Sequence, residues 1–528
     1  MLHLDPSRLV LTEQGIEGYY LPVGRSDILA IRDRLVLKSL ASARDAVRHN
    51  PDFAPLASSA FLGFIAEFLS VAEASVLFGR TRTAGGVISV PEGTDHWHPI
   101  ASGEAPDPNR LDEGLGSRLA RPARWKAPLR LIRNLFMDDG IDRIPVRKVD
   151  FAQDIVAISI SGLISKAARM TPQRVVYLPL STWFDSVVEA APLSTDGVSL
   201  ADAWIDDCRD AMTAIGESLP GHLRSYLRDW LLRFFAIAQC HWQHLVGRPQ
   251  LLPRELWIGA ASRPLIRLLA HAVRSQGGRV VGHDHATGHG HLRSEMKTLV
   301  DFWTCETFIT FTEASRRTLV ETARRDLILD GCLPAITTLE AQGSAAPGPH
   351  KRPSRNEPFP LGRHIMYVSG VYRLDCPVYM TRPLSLTLLD WQARLLGKLR
   401  QSGYQVTFKA HPDSLFPPPG FFRKLARVEL LRFEQVADQA DLFVFDNPLS
   451  TAFGHALKLS KPVVLIDFGL ADFTERGREL LARRCAIVAG QTDANNRWTV
   501  DWDALHEAIR QAYDRCDFEF VETYLQAA

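Results

Sequence analysis

The sequence predicts an α/β protein: two doubly wound, Rossmann-type domains facing a cleft, preceded by an extra, mostly helical N-terminal region. Three observations carry this. Between 404 and 469 three apolar runs, at 404–408, 442–445 and 463–468, are each about a strand long and rich in Val, Ile and Phe. The first two end in polar turns marked by proline, and the second turn opens a helical stretch at 452–459. A separate strand–loop–helix series runs from 251 to 324, and a Gly-, Pro- and charge-rich stretch at 340–360 separates the two.

The organisation follows in order. Residues 1–150 read as mostly helical. Ser26-Asp27 offers a cap for a helix over 28–48, with Ile28, Ile31, Leu35, Leu37 and Leu40 as its apolar stripe. The most apolar stretch, 61–78, carries Glu67 and Glu73 and reads as a buried helix rather than a membrane span. Residues 81–125 read as loops, with His96-Trp97-His98 on the surface. The segment 117–134 holds six Lys or Arg and no acid, interleaved with Leu119, Trp125, Leu129 and Ile132. It has the make-up of a peripheral membrane contact, or of a basic helix packed on its own protein.

The first Rossmann-like domain is placed at 151–340, the linker at 341–360 and the second domain at 361–528. In the first, strands are expected at 174–178, 255–259, 279–282 and 307–311. The helices there are expected at 222–245, 262–275 and 313–324. In the second, 364–369 and 486–489 add strands, and 387–401, 502–513 and 518–526 add helices.

Composition narrows the function. The 528 residues are 46% hydrophobic and 23% charged, with a net charge of +1, so no bulk field draws nucleic acid. The seven cysteines are scattered and never spaced C-x-x-C, which argues against a zinc site or disulfide framework and for a reducing cytoplasm. The N-terminus, MLHLDPSRLV, lacks the apolar core of a signal peptide.

Open α/β sheets bind ligands at the C-terminal ends of their strands. On the second domain that edge offers Lys409, His411, Asp446, Asn447, Ser450 and Thr451, with Arg373 after the domain's first strand. Pro412 holds His411 extended, and a helix start at Ser450-Thr451 supplies free amides to a phosphate. On the first domain the matching loop is His283-Asp284-His285, followed by His289 and His291. Asp284 suits deprotonation of an acceptor hydroxyl or nucleophilic attack, and His283 or His285 could serve as base instead. A metal reading of the same cluster lacks Cys or Glu at ligand spacing.

The order His411-Pro412, then Asp446-x-x-x-Ser450-Thr451, then Gly454-x-x-Leu457-x-x-x-Lys461-Pro462-Val463-Val464 resembles the C-terminal half of GT-B glycosyltransferases. More narrowly it resembles bacterial capsule and lipopolysaccharide transferases with a His-Pro motif. These include the Kdo and sialic acid transferases and the CDP-glycerol glycerophosphotransferases. The resemblance covers about 250–469. It implies that His411 and the Ser450-Thr451 pair contact the donor phosphate, and that catalysis needs neither metal nor cofactor.

The expected activity is transfer of a sugar, favoured as Kdo or a related ulosonic acid from a CMP donor. The acceptor would be a surface polysaccharide or lipopolysaccharide, lipid-linked or free, at the cytoplasmic side of the inner membrane. Polyol-phosphate transfer from CDP-glycerol and an inactive GT-B scaffold that binds an assembly partner are the alternatives.

Overall fold

A computed structural model of the protein describes every residue except 1, 4–9, 91–96, 109–139, 185–191, 286–289, 294, 340–363, 373–384, 412–413, 415–417 and 526–528. Arg373, His289, the basic segment 117–134 and the linker 341–360 lie outside the described residues.

After Leu2–His3, which pairs in parallel with Ile88–Ser89, comes a small antiparallel hairpin, β1 (Leu11–Thr12) and β2 (Gly15–Ile16). Two long helices follow, α1 (Arg25–His49) and α2 (Ala54–Thr83). The first sheet and its helices then come in order: β3 (Ile155–Ala157), α3 (Gly162–Met170), β4 (Val175–Tyr177), α4 (Thr195–Met212), α5 (Gly221–Val246), β5 (Glu255–Ile258), α6 (Pro264–Ser275), β6 (Arg279–His283), α7 (Glu295–Val300), β7 (Thr307–Thr310), α8 (Glu313–Thr322) and β8 (Ala335–Thr338). The six strands are all parallel, in the order β8-β7-β6-β5-β3-β4.

The segment Pro51–Thr83 is long and apolar enough to cross a membrane, yet 78% of its most apolar window is buried inside the protein. Its neighbours explain that. Phe64 stacks on Trp204 of α4 at 4.8 Å, and Phe61 lies edge-on to the same indole. Trp204 also donates to the Ser39 carbonyl of α1 at 2.8 Å. The helical layer is therefore built jointly by α1, α2, α4 and α5, the last two inserted between β4 and β5. Arg267 on α6 fastens it to the sheet. The guanidinium is fully buried and donates to carbonyls of Ser58 on α2, of Ala261, and of Leu299 and Val300 at the end of α7. The surface-loop reading of Trp97 is corrected: it begins a short helix, Trp97–Ser102, and its buried indole donates to Ser70 at 3.0 Å.

The second lobe runs β9 (His364–Val368), α9 (Ser385–Gln401), β10 (Gln405–Lys409), β11 (Arg427–Glu429), β12 (Leu442–Phe445), α10 (Thr451–Lys458), β13 (Val463–Asp467), α11 (Glu475–Arg484), β14 (Ala486–Thr492), β15 (Trp498–Val500), α12 (Trp502–Gln511) and α13 (Glu519–Tyr524). Its order is β11-β10-β9-β12-β13-β14-β15, parallel except for the last strand. The central strands are buried on both faces, which is why they read as unbroken apolar runs.

The lobes meet at their C-terminal strand edges. Leu292, after β6, bridges antiparallel to Phe473, after β13. Arg293 donates its N–H to Asp472, and Thr474 donates its N–H to His291 at 3.1 Å. Near the C-terminus the chain crosses back, and Thr312 at the start of α8 donates to the Thr523 carbonyl of α13. Two Rossmann-type lobes with facing strand edges and an added helical layer make the fold GT-B-like.

Candidate functional site

Strand order places the ligand edge of each sheet at the point where successive strands part to opposite sides. In the second lobe that point lies between β9 and β12. Val368 pairs with Lys409 on one side and Phe445 on the other. His411 and Asn447, each two residues further on, therefore share one edge, two strands or about 10 Å apart.

The loops on this edge are tied together. The Ser414 N–H donates to the His411 carbonyl at 3.3 Å, and the Ser414 hydroxyl accepts the Tyr372 N–H at 3.2 Å. Asn447 accepts the Leu449 N–H at 3.0 Å, shaping the turn into α10. Ser450 caps that helix by accepting the Phe453 N–H at 3.1 Å, and Thr451 is its exposed first residue. The half-buried His411, Asn447, Ser450 and the exposed Thr451 thus line one rim.

Lys409 departs from expectation. It is 2% exposed and its ammonium donates to the Ala410 carbonyl at 2.5 Å. Burial lowers its pKa, with Glu429 and Glu434 opposing. It sits beneath the rim as the last residue of β10, where four successive positions, on both faces of the sheet, are buried. Asp446 is likewise internal. Its Oδ2 accepts from the Tyr367 hydroxyl and from the Trp391 indole, the latter at 3.0 Å, while Oδ1 has no hydrogen-bond partner among the described residues. Burial pushes its pKa up to about 6, the hydrogen bonds from Tyr367 and Trp391 opposing.

A raised folded-state pKa means the folded protein binds this proton more tightly than the unfolded chain. Stability is then highest below the unfolded carboxylate value near 4, falls as pH rises through about 6, and is level above. The expected loss across that window is on the order of 2–3 kcal/mol. Urea unfolding at a series of pH values should show it in the native protein and lose that slope in Asp446→Asn.

In the first lobe the expectation of open catalytic side chains at His283 and Asp284 is corrected, because both are fully buried. Asp284 accepts from the Lys297 ammonium at 2.6 Å and from Thr310 at 3.2 Å. Lys297 also pairs with Asp301 at 3.5 Å. Burial alone would lower the Lys297 pKa, but the two carboxylates outweigh it and hold the ammonium above its ordinary value. His283 packs 4.9 Å from Trp257, and burial pulls it down to about 4, against the carbonyls of Ile258 and Val281. His285 is half-buried, and its backbone N–H donates to Asp284 at 3.0 Å. His291 is drawn into the lobe junction, stacked on Phe473 and flanked by Phe520 and Tyr524, and burial lowers it to about 4. Among the described residues no three His, Cys, Asp or Glu side chains gather as a metal would require.

The parting point of the first sheet lies between β3 and β5, and sequence reading passed over it. There Ser159 accepts the Gly259 N–H at 2.7 Å and Ser161 caps α3. The signal was Ser159-Ile160-Ser161-Gly162 after a strand only three residues long.

These two edges define an α/β protein of two lobes, each built on a mainly parallel sheet with its own strand-parting point. No protein-family model and no curated protein matches the chain. Among solved structures it is similar to the glycosyltransferase SnogD from Streptomyces nogalater. The identity is 10%, the match covers 71% of this chain and 96% of that one, and the TM-score is 0.30. At that level the likeness carries no weight on activity, and the fold rests on its own strand order.

Proposed function

We propose that the protein is a glycosyltransferase that holds a nucleotide-activated sugar on the second lobe. The observation that supports this most is the shared rim of His411, Asn447 and the capped start of α10, set beside the parting strands β9 and β12. The favoured donor is a CMP-linked ulosonic acid such as Kdo. The favoured acceptor is a glycan of a bacterial surface polysaccharide or lipopolysaccharide, met at the cytoplasmic face of the membrane.

In this reading an acceptor hydroxyl attacks the anomeric carbon while the bond to the nucleotide phosphate breaks. His285, the accessible member of the first-lobe loop, takes the hydroxyl proton, with Asp284 behind it as support. The departing phosphate keeps the bonding electron pair, and the His411 imidazole with the first amides of α10 stabilises its charge.

A thermal-shift screen across CMP, CDP, UDP, GDP and ADP tests the reading. Ligand at 100 times its dissociation constant should stabilise the protein by about 2.7 kcal/mol. CMP release with a sugar-bearing product supports the favoured donor. A phosphodiester in the product moves the assignment to polyol-phosphate transfer, and no stabilisation by any nucleotide overturns it.

A further inference from the structure

Three consecutive residues of α9 face three different groups. Asp390, Trp391 and Gln392 are all fully buried. Asp390 faces the N-terminal hairpin: its Oδ1 accepts the Ile16 N–H at 2.8 Å. Arg394 and Arg497 pair with the same carboxylate at 2.8 and 2.6 Å, and Arg497 also donates to the Gln14 carbonyl of the hairpin turn. Trp391 donates to Asp446. Gln392 donates to Ser369 at 2.9 Å and accepts from the Tyr372 hydroxyl, both in the loop after β9.

The hairpin is pressed onto the helix at two glycines. Gly15 has a φ of +98°, and a Cβ there would collide with the Asp390 carboxylate and the Arg497 guanidinium. Gly397, about two turns beyond Asp390 along α9, would carry a Cβ 3.0 Å from the Glu13 carbonyl. Glycine inside a helix costs roughly 1 kcal/mol relative to alanine, and the close approach of Glu13 accounts for it here.

We propose that the hairpin is a working part of the donor site, with Asp390 as the positioning residue that fixes α9 and thereby sets Trp391 and Gln392 against Asp446 and the 369–372 loop. The donor-site role and the nucleotide arm of the test rest on the transferase reading; the coupling of the hairpin to Trp391 and Asp446 does not. The helix is one rigid body, so a small shift at Asp390 moves both neighbours. The titratable groups facing Asp446 are the phenols of Tyr367 on β9 and Tyr372 in the next loop.

The test labels the eleven tryptophans with 5-fluorotryptophan and follows the fluorine signal of Trp391, identified by its loss in Trp391→Phe, through a pH titration. The wild-type signal is expected to titrate near the Asp446 value of about 6. Gly15→Ala and Gly397→Leu each displace the hairpin, and the second leaves Asp390 untouched. Both should move the Trp391 signal and raise its midpoint, because the hydrogen bond holding Asp446 down is weakened. Nucleotide affinity should fall at least tenfold. Variants with wild-type circular dichroism, an unmoved Trp391 signal and an unchanged midpoint overturn the proposal. If the wild-type protein binds no nucleotide, the transferase reading fails and the fluorine titration still decides the coupling.

Discussion

Replacing Lys297 with methionine is expected to lower the unfolding free energy by about 3–5 kcal/mol. The ammonium stands between Asp284 and Asp301, all three nearly inaccessible to water. Methionine fills the same space but leaves two carboxylates buried together without a cation. Removing one partner of such a set exposes the full desolvation cost of the others. The double variant Lys297→Met, Asp284→Asn should recover part of the loss, since one of the two stranded charges is gone. Urea unfolding monitored at neutral pH measures both. Equal losses in the single and double variants would show that the ion pair contributes nothing of its own.

The second large effect is on ligand binding. His411→Ala should weaken nucleotide binding by about 1.5–3 kcal/mol, the range for a hydrogen bond to a charged group. That is roughly a 10- to 150-fold rise in the dissociation constant, with little change in stability, because the residue is only half-buried. Ser450 separates a ligand role from a helix role. Ser450→Ala loses the cap and about 1 kcal/mol of stability. Ser450→Asp keeps the cap but sets a negative charge where the phosphate would sit. Calorimetric titration should find nucleotide affinity lost in Ser450→Asp while its melting temperature holds. Undiminished affinity there would remove α10 from the donor site.

Much of the architecture was legible because its signals are local. The strands Leu442–Phe445 and Val463–Asp467 are buried on both faces and announce themselves as apolar runs. Helices such as α6 and α12 carry their stripes, and α12 has its cap in Asp501. In the two large sheets the strands that escaped notice, Ile155–Ala157, Ala335–Thr338, Arg427–Glu429 and Trp498–Val500, are three or four residues long, too short for a period to show. All but the first are edge strands, and the first is next to one.

What the sequence determined by itself was which residues end strands and begin helices, since apolar period, proline and capping hydroxyls act within a few positions. That placed His411, Asn447, Ser450 and Thr451 on a strand-end edge. Burial was decided only by tertiary structure, because it depends on residues distant in the chain. Lys297 and Thr310 enclose Asp284, while Tyr367 and Trp391 enclose Asp446. The hairpin reaches α9 across more than 370 positions, which no local pattern encodes. A carboxylate looks the same in sequence whether water or a buried lysine neutralises it; packing makes the difference.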